Sequence, residues 1–222
     1  MKHFLITGVS RGIGLKLTEL SLKSGQRVFG LARHPEESSE LSQLKKIYSD
    51  QLVLMSGDVT DPGLGEKILK AYPWNELDVL INNAGVYQDD TREGFAQSFA
   101  INSTAPYFLT QSLFPLLKKS KTPKVAFISS LMGSVGDNSS GGSVAYRASK
   151  SALNMIVKCL SLDESWLTSL LFHPGWVKTR MGGENAPTSP EDSAAGLLKL
   201  IEDSVKDDSG SYRDFHGKAL RW

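Results

Sequence analysis

His3-Phe4-Leu5-Ile6-Thr7-Gly8-Val9-Ser10-Arg11-Gly12-Ile13-Gly14, then Leu15, Leu17, Leu20 and Leu22, then Arg27-Val28-Phe29-Gly30-Leu31-Ala32, is the stretch that decides the fold. The apolar run ending at Thr7 reads as a strand. The leucines at helical spacing read as a helix closing near Ser24-Gly25, and Arg27 to Ala32 reads as a second strand. Strand, glycine-rich turn, helix and strand make a βαβ unit, which implies a parallel sheet with helices on its faces. The turn Gly8-x-x-x-Gly12-x-Gly14 departs from G-x-G-x-x-G, because Ser10 stands at the second position. The physics is unchanged. Gly8 permits a tight turn, Gly12 lets backbone approach a pyrophosphate, and Gly14 permits close helix–strand packing. With Ser10, Arg11 and Ile13 these residues form the expected phosphate cradle, at a helix N-terminus whose free N–H groups favour an anion.

The alternation continues along the chain. Glu36 to Tyr48 reads as helix and Leu52 to Met55 as a third strand; Pro62 to Tyr72 as helix and Leu77 to Ile81 as a fourth strand. One long helix is expected from about Thr91 to Lys119, and a fifth strand over Lys124 to Ser130. Another long helix carries Tyr146 and Lys150, a sixth strand spans Ser169 to His173, a helix lies in Pro187 to Val205, and a late strand lies near Tyr212 to Phe215. No linker or repeat interrupts this. The expected fold is one doubly wound Rossmann-type α/β domain over 1–222, with a mostly parallel sheet of about seven strands.

Composition narrows the function classes. The formal net charge is +1, which suggests neither a nucleic-acid surface nor a polybasic membrane patch. The single cysteine, Cys159, suits a reducing compartment. His3, His34, His173 and His216 are scattered without chelating spacing, so no metal site is expected. No apolar run reaches membrane-spanning length, and strand pattern begins too early for a signal peptide. A cytoplasmic protein is the expectation.

The second strand indicates which dinucleotide. An acid there serves the ribose 2′-OH of NAD, and a cation accommodates the 2′-phosphate of NADP. Here the strand ends Leu31-Ala32-Arg33-His34, and Arg11 adds a second cation. Arginine suits bidentate phosphate contact, so NADP(H) is expected over NAD(H).

Further features follow the later strands: Asp58-Val59, Asn82-Asn83-Ala84-Gly85, Ile128-Ser129-Ser130, Tyr146-x-x-x-Lys150 and His173-Pro174-Gly175-Trp176-Val177-x-Thr179. In this order the set resembles the short-chain dehydrogenase/reductase family over essentially the whole chain. The wording around the motifs is similar to its C-factor and sniffer-type carbonyl reductase subgroup. The resemblance implies Tyr146 as acid/base, Lys150 as its pKa modulator and a ribose ligand, and Ser130 as partner of the substrate oxygen. It implies Asn102 as the end of a water relay. Asp58 and Val59 would flank the adenine, Asn83, Ala84 and Gly85 the cofactor ribose, and Pro174, Gly175, Val177 and Thr179 the nicotinamide end. Ser130 is preferred because it precedes Leu-Met-Gly. The gap to Tyr146 is long, which leaves Ser129 and Ser134 as rivals.

Tyr146 and Lys150 share a helix face. One positive charge about 4 Å away supplies on the order of 4 kcal/mol at an effective dielectric of about 20, enough to bring a phenol from about 10 to about 7 or 8. Pro106, four residues after Asn102, cannot donate to its carbonyl, which predicts a disturbed helix there and a carbonyl free to accept a water.

The Tyr146 helix shows two apolar stripes, Leu153, Val157 and Leu160 on one side and Met155, Cys159, Leu162 and Trp166, with Ala148, on the other. Arg147, Asn154, Lys158 and Ser161 form a polar strip between them. One stripe packs on the sheet and the other needs a second cover, either the neighbouring helix or a partner. A homodimer through the 91–119 and 144–166 helices is expected. Tyr87 and Trp176 are candidate walls of the substrate pocket, and the glycine-rich segment Thr179 to Pro187 is a candidate lid.

The leading reading is an NADP(H)-dependent oxidoreductase acting on a small carbonyl or alcohol. The second is a dinucleotide-binding signalling or interaction protein, for which Ser130, Tyr146 and Lys150 would be superfluous. A third, sugar-nucleotide epimerisation, needs a larger C-terminal substrate region than the stretch after Thr179 provides.

Overall fold

A computed structural model describes residues 1–222. In chain order the elements are β1 (His3–Thr7), α1 (Gly12–Lys23), β2 (Arg27–Ala32), α2 (Ser39–Ile47), β3 (Leu52–Ser56), α3 (Leu64–Ala71) and β4 (Val79–Asn82). They continue with α4 (Arg92–Phe99), α5 (Ala105–Ser112), α6 (Phe114–Leu117), β5 (Lys124–Ile128), α7 (Val144–Asp163), β6 (Thr168–His173), α8 (Pro190–Asp203) and β7 (Tyr212–Asp214). The strands form one sheet in the order β3-β2-β1-β4-β5-β6-β7. Every pairing is parallel, so the sheet is wholly rather than mostly parallel. The chain reaches one edge at β3 and then crosses to β4 beside β1. That reversal leaves a crevice between the carboxyl ends of β1 and β4.

Successive strand residues point to opposite faces. Phe4 and Ile6 pack with Leu17 of α1, Leu41 of α2 and Leu197 of α8, while Leu5 packs with Ile68 of α3, Leu109 of α5 and Val157 of α7. Both faces are covered, which explains why the strands read as near-continuous apolar runs. No helix is long and apolar enough to cross a membrane.

The single helix expected over 91–119 is divided. A π turn occupies Ala100–Thr104 between α4 and α5, and the helix breaks again at Leu113 before α6. Prolines 106 and 115 withhold the N–H groups that would continue a regular ladder. The expected disturbance around Asn102 thus takes the form of a π turn. On α7, Leu153, Val157 and Leu160 are buried against the sheet. Asn154, assigned to the polar strip, is buried too, because its amide bonds the Gly133 carbonyl at 3.1 Å and its oxygen accepts from Ser129 Oγ at 2.6 Å. The opposite stripe is covered only in part: Trp166 packs edge-on against Phe114 of α6, ring centroids 5.2 Å apart, while Met155 and Leu162 are 65% and 68% exposed.

A Cβ on Gly14 would lie 2.2 Å from the Gly8 carbonyl oxygen, so α1 approaches the end of β1 only because this residue has none. Gly14→Ala should destabilise the protein by roughly 1–3 kcal/mol, the range for overpacking. Urea unfolding against the parent protein measures it.

Candidate active site

A cleft of about 750 Å³ opens at the carboxyl end of the sheet. Of the expected cofactor residues, Gly8, Ser10, Arg11, Gly12, Ile13, Gly14, Arg33, Asp58, Val59, Asn83, Ala84, Gly85, Tyr146, Lys150, Pro174 and Thr179 line it. Gly175 and Val177 do not. Val177 is buried and forms a bridge with Thr188, and Gly175 turns at φ +86° against the Phe215 ring. They shape the base of the 178–188 loop. That loop is tied down by Trp176 Nε1 donating to the Gly182 carbonyl at 2.7 Å and Gly182 N–H donating to Thr179 Oγ1 at 3.2 Å. Tyr87 lines the cleft, whereas Trp176 does not.

The first turn has the form of an anion cradle. Gly8 and Gly12 adopt φ +75° and +56°, conformations that favour glycine. Side chains of Ser38, Thr91 and Ser189 cap α2, α4 and α8, but α1 has neither a side-chain cap nor an acid in its first turn. Its leading N–H groups therefore await another acceptor. Arg11 and Arg33 line the same end without a carboxylate at ion-pair distance. Lys16 also lines it, but its ammonium is held by Glu19 at 3.0 Å and Glu191 at 2.7 Å. These residues fit a phosphorylated dinucleotide.

At the other end, α7 presents Tyr146 and Lys150. The helix begins where the Asp90 carboxylate accepts from Ala145 N–H at 2.7 Å; Ser143 at its N-cap is left-handed, φ +49°, and makes no capping bond. The Tyr87 ring lies 5.0 Å from that of Tyr146, and its hydroxyl bonds the Ser143 hydroxyl. Lys150 Nζ donates to the Ile128 carbonyl at 2.8 Å and sits 5.8 Å from the Tyr146 ring centroid. Burial brings its pKa down to about 8. Burial also pushes the Tyr146 phenol up; the Ser130 hydroxyl beside it opposes that shift and Tyr87 adds to it. The expectation of a lowered phenol pKa counted the Lys150 charge and the bound nicotinamide; in the protein alone burial is the largest influence, and the Lys150 ammonium is turned to the Ile128 carbonyl.

Ser130 and Asn102 are both buried and do not line the cleft, whereas the rival Ser129 does. Ser130 Oγ accepts from Met132 N–H at 3.2 Å, and its own proton faces the Tyr146 phenol. The rival hydroxyls are engaged elsewhere: Ser129 Oγ donates to Asn154 and Ser134 Oγ donates to the Trp222 carbonyl at 3.1 Å. The Asn102 side chain clasps the Val86 backbone, accepting from its N–H and donating to its carbonyl, both at 2.9 Å. It also donates to Ser149 Oγ at 3.0 Å. A Cβ on Gly85 would meet Asn102 Oδ1 at 3.2 Å and Lys150 Nζ at 3.6 Å, so the two groups share one glycine-sized space.

Sequence reasoning missed Thr7, whose Oγ1 accepts from both Asn83 and Ala84 N–H at 3.0 Å. It read only as a strand end, and its position before Gly8 was the available signal. Reasoning from spacing also found no chelating group. The fold gathers His3, Glu76 and Asp78 at the opposite end of the sheet, with ligand atoms within 4.8 Å of one another. His3 is on β1 and both acids lie on the loop before β4, whereas a second group, His34, Glu36 and Glu37, is exposed and local in sequence.

A family model described as short chain dehydrogenase matches residues 2–190, and the chain belongs to that family. C-signal from Myxococcus xanthus is 41% identical over 155 residues, covering 66% of this chain and 93% of that protein. The carbonyl reductase Sniffer of D. melanogaster superposes with a TM-score of 0.93 at 31% identity, covering 100% of both chains. The NADPH-bound carbonyl reductase from chicken fatty liver superposes with a TM-score of 0.90 at 31% identity, covering 100% of this chain and 99% of that one. The protein is an oxidoreductase of the short-chain dehydrogenase family, and the subgroup resemblance read from its motifs holds.

His173 carries a pH consequence. Burial lowers its pKa from 6.5 to about 4. Above pH 6.5 the ring is neutral whether the chain is folded or unfolded. Below that, the unfolded chain takes up a proton that the folded one refuses, so stability falls down to about pH 4 and then levels. His173→Asn should remove roughly 2 kcal/mol of the stability difference between pH 7 and pH 5, read from urea unfolding at both pH values.

Proposed function

We propose that this protein is an NADP(H)-dependent carbonyl reductase. What carries the reading is one cleft that joins an uncapped, glycine-lined helix N-terminus to Tyr146 and Lys150, with the Ser130 hydroxyl beside the phenol. Arg11 and Arg33 would hold the 2′-phosphate, the α1 N-terminus the pyrophosphate, and Asn83, Ala84, Gly85 and Lys150 the nicotinamide ribose. Bound there, the reduced nicotinamide supplies a hydride to the substrate carbon.

The chain's residues supply the rest. Because burial raises its pKa, Tyr146 is protonated at pH 7 and serves as the acid that donates to the carbonyl oxygen. Lys150, with a pKa of about 8, is mostly an ammonium at that pH and stabilises the phenolate left behind. The Ser130 proton, turned to the phenol, would pass to the substrate oxygen and hold it near Tyr146. Asn102 fixes the floor beneath Lys150 through Val86 and Gly85.

The exposed stripe of Met155 and Leu162, with Phe108 of α5 58% exposed, supports a homodimer through these helices. Light scattering on the purified protein tests it. A second reading, a dinucleotide-binding signalling protein, draws support from the likeness to C-signal. Tight NADPH binding without turnover of any ketone, aldehyde or quinone in a panel would decide for it.

Tyr146→Phe should lower kcat by about 10²–10⁴-fold, the worth of a general acid, while NADPH binding stays within about twofold. Stopped-flow oxidation and fluorescence titration report the two separately. Arg33→Ala should weaken NADPH by about 10–100-fold and leave NADH nearly unchanged, as loss of a charged hydrogen bond implies. Equal loss for both cofactors would contradict the assignment. The reduction rate should fall as pH rises through about 8, where Lys150 loses its charge, and Lys150→Met should lack that limb.

A further inference from the structure

The turn that carries Ser130 is held by side chains from two strands that the proposed chemistry does not otherwise use. Ser130 is the N-cap of the short 3-10 turn Leu131–Gly133, extended at φ −154°, ψ 145°. The first N–H groups of such a turn have no partner within it. Met132 N–H finds Ser130 Oγ, and Leu131 N–H donates to His173 Nδ1 at 3.1 Å. The Ser130 carbonyl accepts from the Tyr212 hydroxyl at 2.6 Å and from Gly133 N–H at 2.8 Å. The Ser130–Leu131 peptide group is therefore held from outside the turn at both its carbonyl and its N–H.

Each partner is suited to one role. His173 ends β6, directly beside β5. Its Nδ1 can accept only while unprotonated, with the ring proton on Nε2. Burial keeps it so, although the carboxylates of Asp214 and Asp137 act in the other direction. Tyr212 comes from β7, one strand further out, and lies beyond residue 190, where the match to the family model ends. It is 3% exposed, and its ring packs 5.6 Å from that of Trp222. The Trp222 carbonyl accepts from Ser134 Oγ and from Gly136 N–H, at 3.1 and 3.0 Å, so the same segment also holds the exit of the turn.

We propose that His173 and Tyr212 are positioning residues that hold the Ser130–Leu131 peptide from its two sides, at N–H and carbonyl, so that the Ser130 hydroxyl meets the oxygen Tyr146 protonates. The proposal rests on the carbonyl-reductase reading. Reactive geometry off by about 1 Å costs on the order of a hundredfold in rate, so a small tilt of this turn registers in kcat before it registers in cofactor binding.

The test uses the full-length protein with NADPH and two carbonyl probes, benzaldehyde and cyclohexanone. Tyr212→Phe deletes one hydroxyl, His173→Leu deletes the acceptor, and His173→Asn replaces it with an amide oxygen. Expected are a fall in kcat of roughly ten- to a hundredfold for Tyr212→Phe and His173→Leu, NADPH binding within about twofold, and recovery to within about threefold in His173→Asn. In a Ser130→Ala background Tyr212→Phe should have almost no further effect, because the group it positions is gone. The proposal is overturned if both deletions keep kcat within about twofold. It is equally overturned if the Asn variant loses as much as the Leu variant, or if Tyr212→Phe costs the same without Ser130. If the wild type reduces neither probe, the carbonyl-reductase reading fails for them, and the support of the turn is read from hydrogen exchange. Leu131 N–H should then exchange about tenfold faster in His173→Leu, and unchanged exchange would overturn the support itself.

Discussion

The site depends on a seam between two strands that are neighbours in the sheet but distant in the chain. Thr7 at the end of β1 offers one hydroxyl oxygen to the N–H groups of both Asn83 and Ala84 beyond β4. Asn83 returns its amide to the Thr7 and Gly8 carbonyls at 2.9 and 3.3 Å. Each such bond contributes only about 1 kcal/mol net, but an unmet buried donor costs more. A Cβ on Gly8 would lie 3.0 Å from Asn83 Nδ2, so the glycine turn and the Asn-Asn-Ala-Gly segment fit only at this spacing. The cradle on one side and Gly85, Lys150 and Asn102 on the other are placed relative to that seam.

Burial governs the chemistry at the far end. It disfavours the charged form of both titrating groups, lifting the Tyr146 phenol and bringing Lys150 down to about 8. An argument from helix spacing contains the attraction between phenolate and ammonium but not the removal of both from water. The proposed reduction draws on this division: a phenol that keeps its proton until an oxygen claims it, and an ammonium in place for the charge that follows.

Ser130 illustrates how much of a site lies outside its motif. Its own turn leaves two N–H groups unmet, and these are met by Ser130 itself and by a histidine from the next strand. The Gly133 carbonyl takes bonds from Ser151 Oγ at 2.7 Å and from Asn154 of α7 at 3.1 Å. The helix that carries Tyr146 and Lys150 therefore grips the turn that carries Ser130, which couples the positions of all three.

The amino-acid pattern by itself determined the alternation of strands and helices, the glycine turn, the Tyr146–Lys150 pair and the two cations Arg11 and Arg33, one in that turn and one after β2. Each of these is a local matter of periodicity, a missing Cβ or a helix turn. The same reasoning took 91–119 as one helix and placed Asn154 on a polar strip. It weighed prolines and periodicity along the chain, but not the hydrogen bonds that β5 and its following turn would offer. Which serine faces Tyr146, what Asn102 holds, and that Gly175 and Val177 stand outside the cleft were decided only by the tertiary structure. So was the reach of Tyr212 from the outermost strand to the Ser130 carbonyl. These outcomes depend on the crossover that sets β4 beside β1 and on desolvation by surrounding atoms, and both join residues whose separation along the chain carries no trace of their contact.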